Sequence, residues 1–137
     1  MPESLATLET RAGDRARVPA PDGRLPIVIG VTGHRDLRAA DEAAIAAQLQ
    51  PLLRRLRRDC PNSPMVVLSA LAEGADRVIA RAALDAGAHM FAVLPLPDEN
   101  YRQDFASAQS RAEFDALVAE ARTDRCAVVP QLDPSAR

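Results

Sequence analysis

From Pro26 onward the apolar residues fall in short unbroken runs, separated by stretches in which they recur every three or four positions. The first run, Pro26-Ile27-Val28-Ile29-Gly30-Val31, is β-branched and ends at Thr32-Gly33, which predicts a fully buried strand. Over residues 39–58, Ile45, Leu49, Leu52, Leu53 and Leu56 make one helical stripe. Pro51 lies inside that stripe and predicts a kink or a division of the helix. Arg54, Arg55, Arg57 and Arg58 occupy its last turns, where cations suit the helix dipole, and Pro61-Asn62-Ser63-Pro64 stops it.

Residues 65–69 predict a second strand, residues 74–86 a second helix ended by Gly87, and residues 89–94 a third strand closed by Pro95-Leu96-Pro97. A helical region in two pieces follows. The first covers residues 98–105; the second opens on a capping box of Ser110 and Glu113 and places Phe114, Leu117, Val118 and Ala121 on one face. Residues 126–129 predict a short fourth strand.

Strand and helix alternate throughout, as in right-handed βαβ units around a parallel sheet. The expected architecture is a Rossmann-like, three-layer α/β fold with about four or five parallel strands and helices on both faces. Residues 25–130 would form that domain. Residues 1–24, polar and Pro-bearing, read as a flexible N-terminal tail, and residues 131–137 as a C-terminal tail. The last strand is expected to be an exposed edge, and the chain reads either as a complete small domain or as the front of a larger one.

Composition narrows the function classes. At 137 residues there is room for one domain. With 47% hydrophobic residues but 3% aromatic, the core has to be built from Ala, Val, Ile and Leu. A net charge of −2 argues against coating nucleic acid by bulk charge, and every basic residue is Arg. That bias suits bidentate contacts to phosphate or carboxylate, and equally the codon usage of a high-GC, bacterial genome. Cys60 and Cys126, far apart and in no metal-ligand spacing, are expected to be reduced, buried thiols. No apolar run approaches the roughly 20 residues of a membrane span, and the N-terminus lacks a signal's apolar region. The expected setting is cytoplasmic, with no membrane partner.

In open parallel sheets, ligands bind outside the carboxyl ends of the strands. Those ends carry Thr32-Gly33-His34-Arg35-Asp36, then Ser69-Ala70-Leu71-Ala72-Glu73-Gly74, then Pro95. Gly33 permits close backbone approach, Arg35 offers a fork of donors, and the amides near Gly74 and Ala75 open the second helix toward an anion. Plainer roles suit the same residues. The glycines make a tight turn, Arg35 pairs with Asp36 or Asp76, Ser69 caps a turn, and Glu73 and Asp76 face the helix dipole. The dinucleotide pattern GxGxxG, the GxxxxGK[ST] loop, a GxSxG elbow and metal-ligand spacing are all absent. Neither a metal nor a cofactor is expected.

Two segments resemble a known group. LSALAEGADRVIARAAL, beginning at Leu68, resembles the SGLAxGID motif of the DNA-processing protein A (DprA/Smf) family. IVIGVTGHRDL looks like that family's first strand and its G-S-R turn, and FAVLPLPDENYRQDF like its third strand. These proteins and the Lonely Guy enzymes belong to the SLOG superfamily of nucleotide-binding domains. The likeness spans residues 26–105. It implies a pocket built from Thr32, Gly33, Arg35, Ser69, Ala70, Glu73, Gly74 and Asp76, and the position of His34, Arg77 and Pro95 at or just after the strand ends makes them further candidates for ligand binding. Ala70 stands where the DprA motif has Gly, and Ala75 where it has Ile. The PGGxGT motif that carries Lonely Guy catalysis is absent, so the resemblance points to binding or sensing of a nucleotide rather than to turnover. A homodimer or a fused effector domain is the partner it implies. Two alternatives stay open. One is a nucleoside-monophosphate phosphoribohydrolase with Glu73 as the best catalytic carboxylate and Arg35 or Arg77 as clamp. The other is single-stranded DNA binding as in DprA, disfavoured by the few aromatics available for stacking.

Overall fold

The computed structural model describes residues 24–123 and 128–130. Strand β1 (Ile27–Gly30) leads into helix α1 (Ala39–Asp59), β2 (Met65–Ser69), α2 (Ala75–Asp85) and β3 (His89–Leu94). A single-turn helix, α3 (Asp98–Tyr101), continues as a 3-10 turn over Arg102–Asp104; α4 (Ala108–Thr123) and the three-residue β4 (Val128–Pro130) follow. The protein is thus α/β, with every strand pair parallel. Ile27 stands opposite Met65, Val66 opposite His89, and Ala92 opposite Val128.

Strand order in the sheet equals chain order, β1-β2-β3-β4. Parallel crossovers are almost always right-handed. When each strand is added on the same side of its predecessor, a constant hand places every crossover helix on the same face. The core bears this out. Leu53 of α1, Ala80 and Ala83 of α2, and Phe114, Leu117, Val118 and Ala121 of α4 meet Met65, Val67, Met90, Ala92 and Leu94 in one cluster. The opposite face carries Val66 and Phe91, flanked by Leu68 and Val93, and no described helix joins that cluster. The expectation of helices on both faces is corrected here: among the described residues the domain has two layers, and the sheet has no point at which the winding reverses.

That order also makes β1 an edge strand, so the expectation of a fully buried first strand fails. Its residues alternate between half-buried and exposed, and Val28 is 54% exposed. Pro51 does not divide α1, which runs unbroken for 21 residues. The ring lies on the exposed side, where the loss of one backbone bond meets water rather than core. Cys60 is exposed, not buried, because it follows α1 at the bottom of the sheet; Cys126 lies outside the described residues. Gly87, at φ +85°, ends α2 by donating its N–H to Leu84 O, and Ala88 N reaches Ala83 O. The predicted capping box is misplaced by three residues. Ser107 caps α4, its Oγ accepting from Ser110 N at 3.0 Å, while Ser110 and Glu113 turn toward α2.

Candidate functional site at the strand ends

The loop after β2 is held by its own side chains. Ser69 is 1% exposed; its Oγ accepts from Leu71 N at 3.1 Å and donates to Asp76 O at 3.3 Å. Ser69, a candidate ligand contact, therefore spends its hydroxyl on the loop. Leu71 takes a left-handed φ of +54° that a leucine rarely adopts, and its side chain is fully buried. Burial of that side chain and the Ser69 bond hold the strained turn in place.

Gly74 then opens α2 at φ +85°. A Cβ there would meet His34 O at 2.3 Å and Arg35 O at 2.4 Å, so only glycine lets the loop after β1 lie against it. Gly33 is equally constrained, since a Cβ would stand 2.4 Å from the Ala75 Cβ. Ala75 N donates to His34 O at 3.0 Å. The first helical amide, expected to face a ligand, is thus occupied by the neighbouring loop. The backbone N–H groups of Thr32 through Asp36 have no acceptor among the described residues, and their side chains are exposed.

Beneath that loop lies a polar node. Asp76 is 6% exposed and Tyr101 3%. The positive charge of Arg35, on the loop above, acts on both the Tyr101 hydroxyl and the Asp76 carboxyl. Burial raises the Asp76 carboxyl above its ordinary value, opposed by the Ala72 N–H and by Arg35. Burial also raises the Tyr101 hydroxyl, against the pull of Arg35.

Arg77, expected as a phosphate clamp, does a different job. Its side chain is 4% exposed. Nε donates to Leu71 O at 3.0 Å, and Nη1 donates to Ser110 O and Oγ at 2.9 Å and to Glu113 Oε2 at 3.2 Å. The guanidinium carbon lies 4.4 Å from the Phe105 ring centroid, a cation–π stack. Nη2 is buried with no partner. Arg77 ties the start of α2 to α4. Ser110 in turn donates its hydroxyl to Glu73, so the best candidate for a catalytic carboxylate belongs to the same chain of contacts.

A groove of about 550 Å³ runs along α2 between α1 and α4. Arg35, Glu73, Gly74 and Arg77 line it, with Ala46, Val78 and Ala82 as its apolar floor. Four of the candidate residues therefore meet in one depression. Thr32 and His34 stand on the exposed loop above it, Ser69 and Asp76 are buried behind it, and Ala70 and Pro95 do not line it. Tyr101, Ser110 and Glu113 escaped the sequence reading. Tyr101 was legible in principle, being the chain's single tyrosine and lying just past the third strand end. Ser110 and Glu113 looked like a helix cap. Among the described residues no group of three or more His, Cys, Asp or Glu converges as a metal site, and no helix is long and apolar enough to cross a membrane. No family model, curated protein or solved structure matches this chain.

Proposed function

We propose that this chain binds a phosphate-bearing ligand of the nucleotide class at the loops following β1 and β2, and senses it rather than converting it. One observation carries the reading. Arg35 is an exposed cation, and it belongs to a run of five backbone amides, Thr32 to Asp36, with no acceptor among the described residues. Successive free amides beside an arginine fork make a concave anion site. With no reversal of the winding among the described residues, the ligand has no switch-point crevice there and would extend instead into the groove along α2. The resemblance of the two loops to SLOG proteins supports the same ligand class. So does the burial of all four aromatic side chains, which leaves no stacking platform for single-stranded DNA. The proposed setting is cytoplasmic, where an exposed Cys60 thiol stays reduced, in a homodimer or a protein with a fused effector.

The test is a thermal-shift and calorimetric panel of AMP, ADP, ADP-ribose, cyclic dinucleotides and NAD. A specific ligand at a hundredfold excess over Kd stabilises the protein by about 2.7 kcal/mol. A saturable shift that disappears in Arg35→Ala supports the reading, and binding untouched by that substitution sinks it. Hydrolysis of a nucleoside monophosphate is the second reading, favoured by Glu73 sharing the groove with Arg35. Release of free base, abolished by Glu73→Gln, would establish it.

A further inference from the structure

Arg35, Arg77 and Arg81 all line the groove along α2. Arg81 is spent on Glu120, to which its Nη1 donates at 2.7 Å. Arg77 is the buried one of the three, and its guanidinium is only partly used. Nε is committed to Leu71 O and the flat face to the Phe105 ring. Nη1 serves Ser110 and Glu113. Nη2, on a side chain only 4% exposed, has no acceptor among the described residues. A charged donor buried without an acceptor is costly, and folds rarely leave one.

The contact with Glu113 is the weak member of this set. Its 3.2 Å is longer than the roughly 2.7–2.9 Å of a charge-assisted N–H···O bond. The Glu113 side chain is 57% exposed, so its carboxylate can exchange Arg77 for water at little cost. It also meets a single nitrogen of the fork. An oxyanion placed end-on would take two parallel bonds, one from Nη1 and one from Nη2.

We propose that Arg77 is a second anion anchor, inside the groove, with the Glu113 carboxylate as its resident competitor. A phosphate-type oxyanion displaces Glu113, bridges Nη1 and Nη2, and leaves its ligand's apolar part on Ala46, Val78 and Ala82. The bonds of Arg77 to Leu71 O and the Phe105 face persist, so the joint between α2 and α4 survives the exchange. The competitor decides the class of ligand. Glu113 is tethered beside its partner and competes at an effective concentration on the order of millimolar or more. A free carboxylate carries the same charge and gains little over it. A phosphate group carries about −1.5 to −2 charges and three acceptor oxygens, enough to satisfy both nitrogens. This site does not need the anchor at Arg35.

Sulfate is the probe, titrated into the full chain carrying heavy-nitrogen arginine, with the Arg77 Nε–H resonance as reporter. Arg77→Met identifies that resonance by its loss. In the unmodified protein sulfate should bind weakly and shift the signal to saturation. Glu113→Ala removes an exposed side chain and should tighten binding about tenfold, the scale of one charge-assisted hydrogen bond. Glu42→Ala removes an equal charge from the same groove, away from the Arg77 ion pair, and should change affinity far less. Arg35→Ala should leave the Arg77 response in place. Equal gains from Glu113→Ala and Glu42→Ala would reduce the effect to general charge and overturn the proposal. Sulfate that saturates the protein without moving the Arg77 signal overturns it and leaves the site at Arg35 standing. So does an Arg77 response that disappears in Arg35→Ala. No sulfate binding to Glu113→Ala overturns it as well.

Discussion

The backbone N–H of Ala75 donates to the carbonyl of His34 at 3.0 Å, which closes the start of α2 with the loop that follows β1. The two strand-end loops are therefore one mechanical unit, and whatever moves one moves the other. Gly74→Ala should show this most directly. A Cβ at φ +85° would collide with His34 O and Arg35 O, and a strained backbone of this kind costs about 1–3 kcal/mol. Urea denaturation should show that loss. Ligand affinity should fall as well, because the loop carrying Arg35 must lift.

Tyr101→Phe separates packing from polarity. The Tyr101 ring stands edge-on to Phe105 at 5.0 Å and to Phe114 at 5.6 Å, and a phenylalanine keeps both contacts. Stability should change by about 1 kcal/mol or less, the value of one hydrogen bond. Affinity for a phosphate ligand should drop if the Tyr101 hydroxyl, on which the Arg35 charge acts, belongs to the site. Thermal denaturation alongside a binding isotherm checks both halves; unchanged affinity would remove Tyr101 from the site.

Arg77 joins two helices, so its loss should be structural. Arg77→Ala leaves Leu71 O without its side-chain donor, breaks the contacts to Ser110 and Glu113, and uncovers the Phe105 face. The expected destabilisation is about 2–4 kcal/mol, the sum of a few buried contacts. Arg77→Met retains the apolar stem over Phe105 and should cost less. Equal losses in the two variants would show that the stem contributes nothing.

Asp76→Asn carries a pH signature. The folded protein holds its Asp76 proton to a higher pH than the unfolded chain does. Across the window between those values the folded state binds more protons, so this group makes stability fall as pH rises. Above the window the penalty is fully present, and below it there is none. Relative to the wild type, Asp76→Asn should gain stability as pH climbs from acid toward neutral. Denaturant midpoints at several pH values will show this, and a difference of opposite slope would contradict it.

Pro51 sits within an unbroken helix on its exposed side. Pro51→Ala restores a backbone donor and should stabilise the protein by about 1–3 kcal/mol. Calorimetric melting is the measurement.

Local pattern disclosed most of the elements. β2 and β3 begin and end where their apolar runs do, because both are buried and bounded by turn residues. The stripe Phe114, Leu117, Val118 and Ala121 is core as its spacing indicates. What escaped was relational. Edge or centre cannot be read from β1 itself; it follows from sheet order, which depends on the side to which each crossover turns. The cap at Ser107 was missed because Ser110 and Glu113 offered the familiar spacing, while their partner, Arg77, lies more than thirty residues away. In the site, the glycines and Arg35 were legible from the loops. Tyr101 joined them only through the fold.

Sheet order has a kinetic consequence. Each strand pairs with its neighbour in sequence, so every pairing closes a single helical crossover and none has to bridge two. The β2–β3 pairing, Val66 with His89, closes a shorter stretch of chain than Ile27 with Met65 or Ala92 with Val128, so it carries the smallest entropic cost of closure. The β2–α2–β3 unit, whose buried strands and helix pack on each other, can form first. β1 and β4 then add outward from it, one at each edge.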